Sequence, residues 1–62
     1  MKKYRVWLYY HTSISVDVEA NDEEEAIESA REIGARDDAD IIELILIGME
    51  EDNSPDVEVI SE

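Results

Sequence analysis

Cysteine and phenylalanine are missing from this 62-residue chain; proline and histidine occur once each and glycine twice. Without cysteine there is neither a disulfide framework nor a thiolate zinc site, and the redox compartment stays unconstrained. The two glycines are isolated, so no phosphate-cradling loop is present, and a lone histidine excludes a zincin pair. Basic residues are also scarce: five stand against 18 acidic ones, for a net charge of −13. A chain so acidic repels nucleic acid and anionic lipid and is drawn to basic surfaces. The longest apolar stretch, residues 41–49, is interrupted by Glu43 and falls short of a bilayer span. Residues 1–10 are too short and too alternating for a signal peptide. The expectation is a soluble cytoplasmic protein, and a strand that begins directly after Met1 points to a complete small gene product.

What remains is enough for one domain (residues 1–62), near the lower limit for a chain with no staple. Leucine, isoleucine and valine total 16 residues, more than a disordered acidic tail carries. All four aromatic residues, Tyr4, Trp7, Tyr9 and Tyr10, crowd into the first ten positions.

Residues 21–34, NDEEEAIESAREIG, predict a helix. Asp22 is placed to cap the first turn, with Glu25 three residues on as in a capping box. Glu23, Glu24 and Glu25 set negative charge at the positive end of the helix dipole. Ala26, Ile27, Ala30 and Ile33 share one side; the small Ala26 and Ala30 let the helix lie close on a sheet, Ile27 and Ile33 carry most of its burial, and Gly34 supplies a left-handed stop.

Before the helix, residues 4–11 alternate with apolar groups on both sides, as in a central strand, and residues 14–20 alternate apolar with polar. These form a hairpin. After it, the β-branched residues 41–48 predict a third strand and residues 57–60 a fourth, joined by a turn at residues 52–56. The expected fold is therefore a small α+β domain, β-β-α-β-β. Its mostly antiparallel sheet has order 2-1-3-4, and one helix packs on one face through a right-handed crossover.

One helix leaves the opposite sheet face uncovered, with Trp7, Tyr9, Ile45 and Ile47 on it, joined by Ile41 and Ile60. Each such side chain is worth about 1.5–3 kcal/mol when buried. Either a loop folds over them or the register differs, or the face is a homodimer or partner interface.

Catalytic chemistry is thin. His11 has Thr12, Ser13 and Ser15 nearby but no third member and no oxyanion hole, so its expected role is that of a turn side chain and the protein is not an enzyme. Residues 37–40 and 50–52 are oxygen-rich yet lack the sharp glycine turn and bidentate glutamate of an EF-hand. No metal and no cofactor is expected.

The acidic surface is the strongest functional cue. Glu24, Glu25, Glu28 and Glu32 share the outer side of the predicted helix, neighbours about 5–6 Å apart at Cβ. Asp37, Asp38 and Asp40 continue the charge beyond it, and Asp17 and Glu19 add more from the second strand. Such a face keeps a small protein soluble. It also spaces carboxylates somewhat as phosphates are spaced, and can compete for a Lys/Arg-lined nucleic-acid channel on another protein.

The segments YRVWLYY and ISVDVEANDEEEAIESAREIG, with a closing VEV, resemble the DpnD/PcfM-like family of small proteins over residues 4–34. The resemblance implies a strand–strand–helix–strand plan, a bacterial host cell with a plasmid or phage setting, and no catalytic residues. In size and charge the chain is also similar to small phage proteins of the anti-CRISPR and anti-restriction kind. Two functional expectations follow. One is a non-enzymatic inhibitor that mimics nucleic acid and blocks a basic surface without itself binding nucleic acid or membrane. The other is a small homodimeric structural or regulatory module whose acidity serves solubility alone.

Overall fold

The structure, a computed structural model, describes residues 1–61. It contains β1 (Lys2–Tyr9), β2 (Ser13–Ala20), α1 (Glu23–Asp37), α2 (Ala39–Leu46) and β3 (Asp56–Ser61). The sheet has three strands in the order β2-β1-β3, both pairs antiparallel, with the helices on one side. The α+β class and the antiparallel hairpin agree with the sequence expectation. The four-stranded sheet, the single helix and the order 2-1-3-4 do not.

β1 is central because both of its faces have work. Tyr4, Val6 and Leu8 point toward the helices and are 2 %, 0 % and 0 % exposed. Val18 and Ala20 of β2 join them from the same side, since directly paired residues of antiparallel strands share a face. The hairpin turns through residues 10–12, where His11 takes a left-handed φ of 70°. A non-glycine residue there needs local support. It has some: the His11 backbone N–H donates to Asp52 Oδ2 at 3.1 Å, and the Asp52 N–H donates to the Tyr9 carbonyl at 2.9 Å.

α1 begins as its cap predicts. Asp22 Oδ1 accepts from the Glu25 N–H at 2.8 Å, with three glutamates in the first turn. The helix then runs through Gly34 to Asp37, so Gly34 is not its stop. Ala26, Ala30 and Gly34 recur every fourth residue and all are buried, which brings the helix backbone close to the sheet. Gly34 serves as a socket: a Cβ there would lie 2.6 Å from Ile41 Cδ1 and 3.7 Å from Val16 Cγ2.

Residues 41–48, expected as a strand, instead belong to α2 and its C-terminal cap. β-branching favoured the strand, but a short apolar run has no periodicity that separates the two states. Two end signals decide it. Asp38 accepts from the N–H groups of Asp40 and Ile41 at 3.0 and 3.2 Å, while its own N–H donates to the Gly34 carbonyl at 3.0 Å. One residue thus ends α1 and starts α2. At the other end Gly48, at φ 83°, donates to the Ile45 carbonyl and Met49 to the Leu44 carbonyl, each at 3.0 Å. That pair of bonds is a Schellman cap, with Leu44 and Met49 both packed against the core beside it. The slot beside β1 is taken by β3, whose Val57 pairs with Val6 and Val59 with Tyr4.

Candidate functional site

The seven carboxylates expected as one array have five different surroundings. Glu24, Glu28 and Glu32 remain together, four residues apart on the exposed side of α1. Among the described residues no salt bridge reaches them. Glu25 is half-buried and its side chain accepts from Asn21 Nδ2 at 3.4 Å. Asp37 pairs with Arg36 at 3.3 Å, and the Asp38 carboxylate is engaged in capping α2. Asp40 stands exposed in the first turn of α2.

Arg31 is the cation nearest this stripe in sequence, and it is directed elsewhere. Its guanidinium forms a two-point pair with Glu51, Nε at 3.0 Å and Nη2 at 3.2 Å. That pair ties the segment between α2 and β3 to α1, and Arg31 forms no ion pair with the glutamate stripe. A contact between residues 20 positions apart has no local sequence signal. The sequence places Arg31 beside the stripe as its one offset, but carries no signal of its diversion to Glu51.

The apolar residues expected on one sheet face divide between layers. Trp7 and Tyr9 do lie on the face away from the helices, both half-buried. Ile45 lies on α2 and Ile47 at its end, 45 % and 69 % exposed, in the helical layer instead. Ile41, expected to join the open face, is in the core at 1 % exposure. Only Ile60, 38 % exposed, stays on the open side, beside Lys3, Asp17 and Glu19.

The open face is mostly a polar lattice. Arg5 forks onto Asp17 across β1 and β2, with Nε at 2.9 Å and Nη2 at 3.3 Å, and Glu58 is its cross-strand neighbour on β3. The hydrogen bonds and charge of Arg5 hold the Asp17 carboxyl below its usual range. Tyr9 donates its hydroxyl to Asp56 Oδ2 at 2.5 Å, which raises the phenol above its ordinary value. Trp7 sits between Ser15 and Asp56 on the flanking strands. Exposed pairs of this kind contribute little to stability, but they set bonded polar groups beside Trp7 and Tyr9 on this face.

His11 is a turn residue in the structure. Its Nδ1 lies 3.2 Å from Asp52 Oδ2, and the side chain is 73 % exposed. Among the described residues no group of three or more His, Asp or Glu side chains converges as metal ligands would. No helix among them is long and apolar enough to cross a membrane.

What sequence reasoning missed is that Ile45 and Ile47 form, with Leu46, an exposed apolar site of their own on α2 and its cap, apart from Trp7 and Tyr9. Ile45, Leu46 and Ile47 are 45 %, 79 % and 69 % exposed in succession. Beside them a groove opens between α2 and the start of β2. No family model, no curated protein and no solved structure matches this chain.

Proposed function

We propose that the protein is a non-enzymatic, stoichiometric binding module that presents the α1 glutamate stripe to a basic surface of a nucleic-acid-binding protein. The observation that carries the proposal is the stripe itself. Glu24, Glu28 and Glu32 stand on a helix fixed at both ends by caps, while Arg31 is held away by Glu51. Like charges four apart on a helix repel, so folding alone does not favour this arrangement. A Lys/Arg-lined channel compensates it on binding and places carboxylates where phosphates otherwise lie.

The resemblance of residues 4–34 to the DpnD/PcfM-like proteins is the ground for placing this activity in a bacterium that carries phage or plasmids. Within that setting the module acts as an inhibitor: it occupies the partner's channel and nucleic acid is shut out.

The test begins with capture of proteins from bacterial lysate on the immobilised chain at low salt, followed by competition with DNA or RNA for whichever protein is retained. Nucleic-acid binding by that protein should fall in proportion to added chain. The complex should weaken steeply as NaCl rises from about 50 to about 200 mM. Charge reversal at Glu24, Glu28 and Glu32 together should abolish it. Affinity indifferent to salt, or to the triple reversal, rejects the proposal.

A further inference from the structure

The groove between α2 and the start of β2 has a volume of about 400 Å³. Its floor is apolar, made by Ile14, Leu44 and Ile47, and Asp40 and Glu43 stand on its rim. Ile47 opens into solvent from this floor at 69 % exposure, continuous along the chain with the exposed Leu46 and Ile45. Monomeric proteins seldom leave large aliphatic side chains clustered in water, and a polar rim around such a cluster marks a contact site.

Three features specify what covers it. First, charge. Among the described residues no salt bridge reaches Asp40 or Glu43, and the whole chain carries −13. A second copy would bring the same charge to the same rim, whereas a basic segment neutralises it. Second, backbone. β2 is an edge strand, with β1 on one side and, among the described residues, no strand on the other, so its outer side can accept an extended chain. Third, alternation. Ile14 and Val16 of β2 face the helical layer, while Ser13, Ser15, Asp17 and Glu19 face the open side. An added strand with period-two alternation would place one set of side chains on the helical side, against the apolar floor, and the other on the open side, beside Asp17 and Glu19.

We infer that this groove is a docking site for an extended, basic, amphipathic segment of another protein. Alternate aliphatic side chains seat on Ile14, Leu44 and Ile47, and the intervening lysines or arginines lie on the open side beside Asp17 and Glu19. The site is distinct from the glutamate stripe of α1, and either can be lost without the other.

A seven-residue peptide alternating lysine and leucine, blocked at both ends, serves as the probe. It is titrated into the full ¹⁵N-labelled chain and followed by amide chemical shifts. Saturable shifts are expected in residues 12–16 and 40–48. Ile47→Ser should weaken the peptide about tenfold, and Glu43→Lys should weaken it and flatten its salt dependence. Ile47 is exposed, so its replacement leaves the fold intact. A lysine–glycine peptide of equal charge should produce no saturable shift in those residues. Substituting Glu24, Glu28 and Glu32 by glutamine should leave the affinity unchanged, which separates this inference from the α1 proposal. The inference is overturned if the lysine–leucine peptide fails to bind, or if the lysine–glycine peptide binds equally well. It is overturned too if the shifts map to α1, or if sedimentation of the chain alone shows a dimer that buries these residues.

Discussion

The two helices lie in one layer against one sheet, yet they are held there by opposite means. α1 buries small residues, Ala26, Ala30 and Gly34, and turns its charge outward. α2 buries one large residue, Ile41, and leaves Ile45, Leu46 and Ile47 in solvent. A long helix can be held by many weak backbone-close contacts. An eight-residue helix has to be held by few: one fully buried contact, Leu44 partly buried against the core, and two caps. Ile41 is that contact, and it reaches the core because Gly34 has no side chain in its way.

The largest expected effect therefore comes from Ile41→Ala. Removing a fully buried isoleucine costs about 2–5 kcal/mol, against a total stability of roughly 3–9 kcal/mol for a chain this size. Urea unfolding followed by circular dichroism should show a protein largely unfolded or close to it at 37 °C. A loss under about 1 kcal/mol would mean that α2 is anchored elsewhere and that the contrast drawn between the helices is wrong.

Asp38→Ala should come next. The substitution removes the acceptor for two N–H groups at the start of α2, at about 0.5–2 kcal/mol. Because the lost bonds belong to α2, amide exchange should accelerate at residues 40–46 before it does in α1. Asp38→Asn should restore most of the loss, since asparagine caps as well as aspartate does. Equal acceleration in both helices would show that they open as one unit.

The same contrast explains what was legible in the sequence. α1 declares itself through a capping residue, a first turn of glutamates and alternation of small apolar with charged positions, all local signals. The β1–β2 hairpin declares itself through its period of two. α2 has no polar face: Glu43 is the one charged residue in ILE-rich residues 41–47, so neither period can be read. Its signals lie outside the run, in Asp38 before it and Gly48 after it. Taken as a free charge and as a strand end, those two residues misplace the segment in the sheet, and the last strand is then pushed outward from β1. The candidate surface follows suit. The glutamates of α1 could be placed from helical spacing, whereas the diversion of Arg31 to Glu51 and the departure of Ile45 and Ile47 from the Trp7 face depend on tertiary structure.

The smallest effect concerns the outward sides of the helices. Glu28 stands one turn from both Glu24 and Glu32, and like charges so placed cost roughly 0.2–0.5 kcal/mol per pair. Glu28→Gln relieves both, so α1 should gain about 0.5 kcal/mol at low ionic strength, read as a higher urea midpoint. The gain should shrink toward zero in about 1 M NaCl, where screening acts over roughly 3 Å. On α2, Glu43 has only Asp40 at such spacing, and Glu43→Gln should gain less. If Glu28→Gln instead destabilises the protein, Glu28 has a favourable interaction within its own chain, and the stripe loses its claim to be waiting for an outside cation. If the gain appears as expected, the helix holds a charge arrangement that weakens its own fold, as the proposed binding to a basic surface requires.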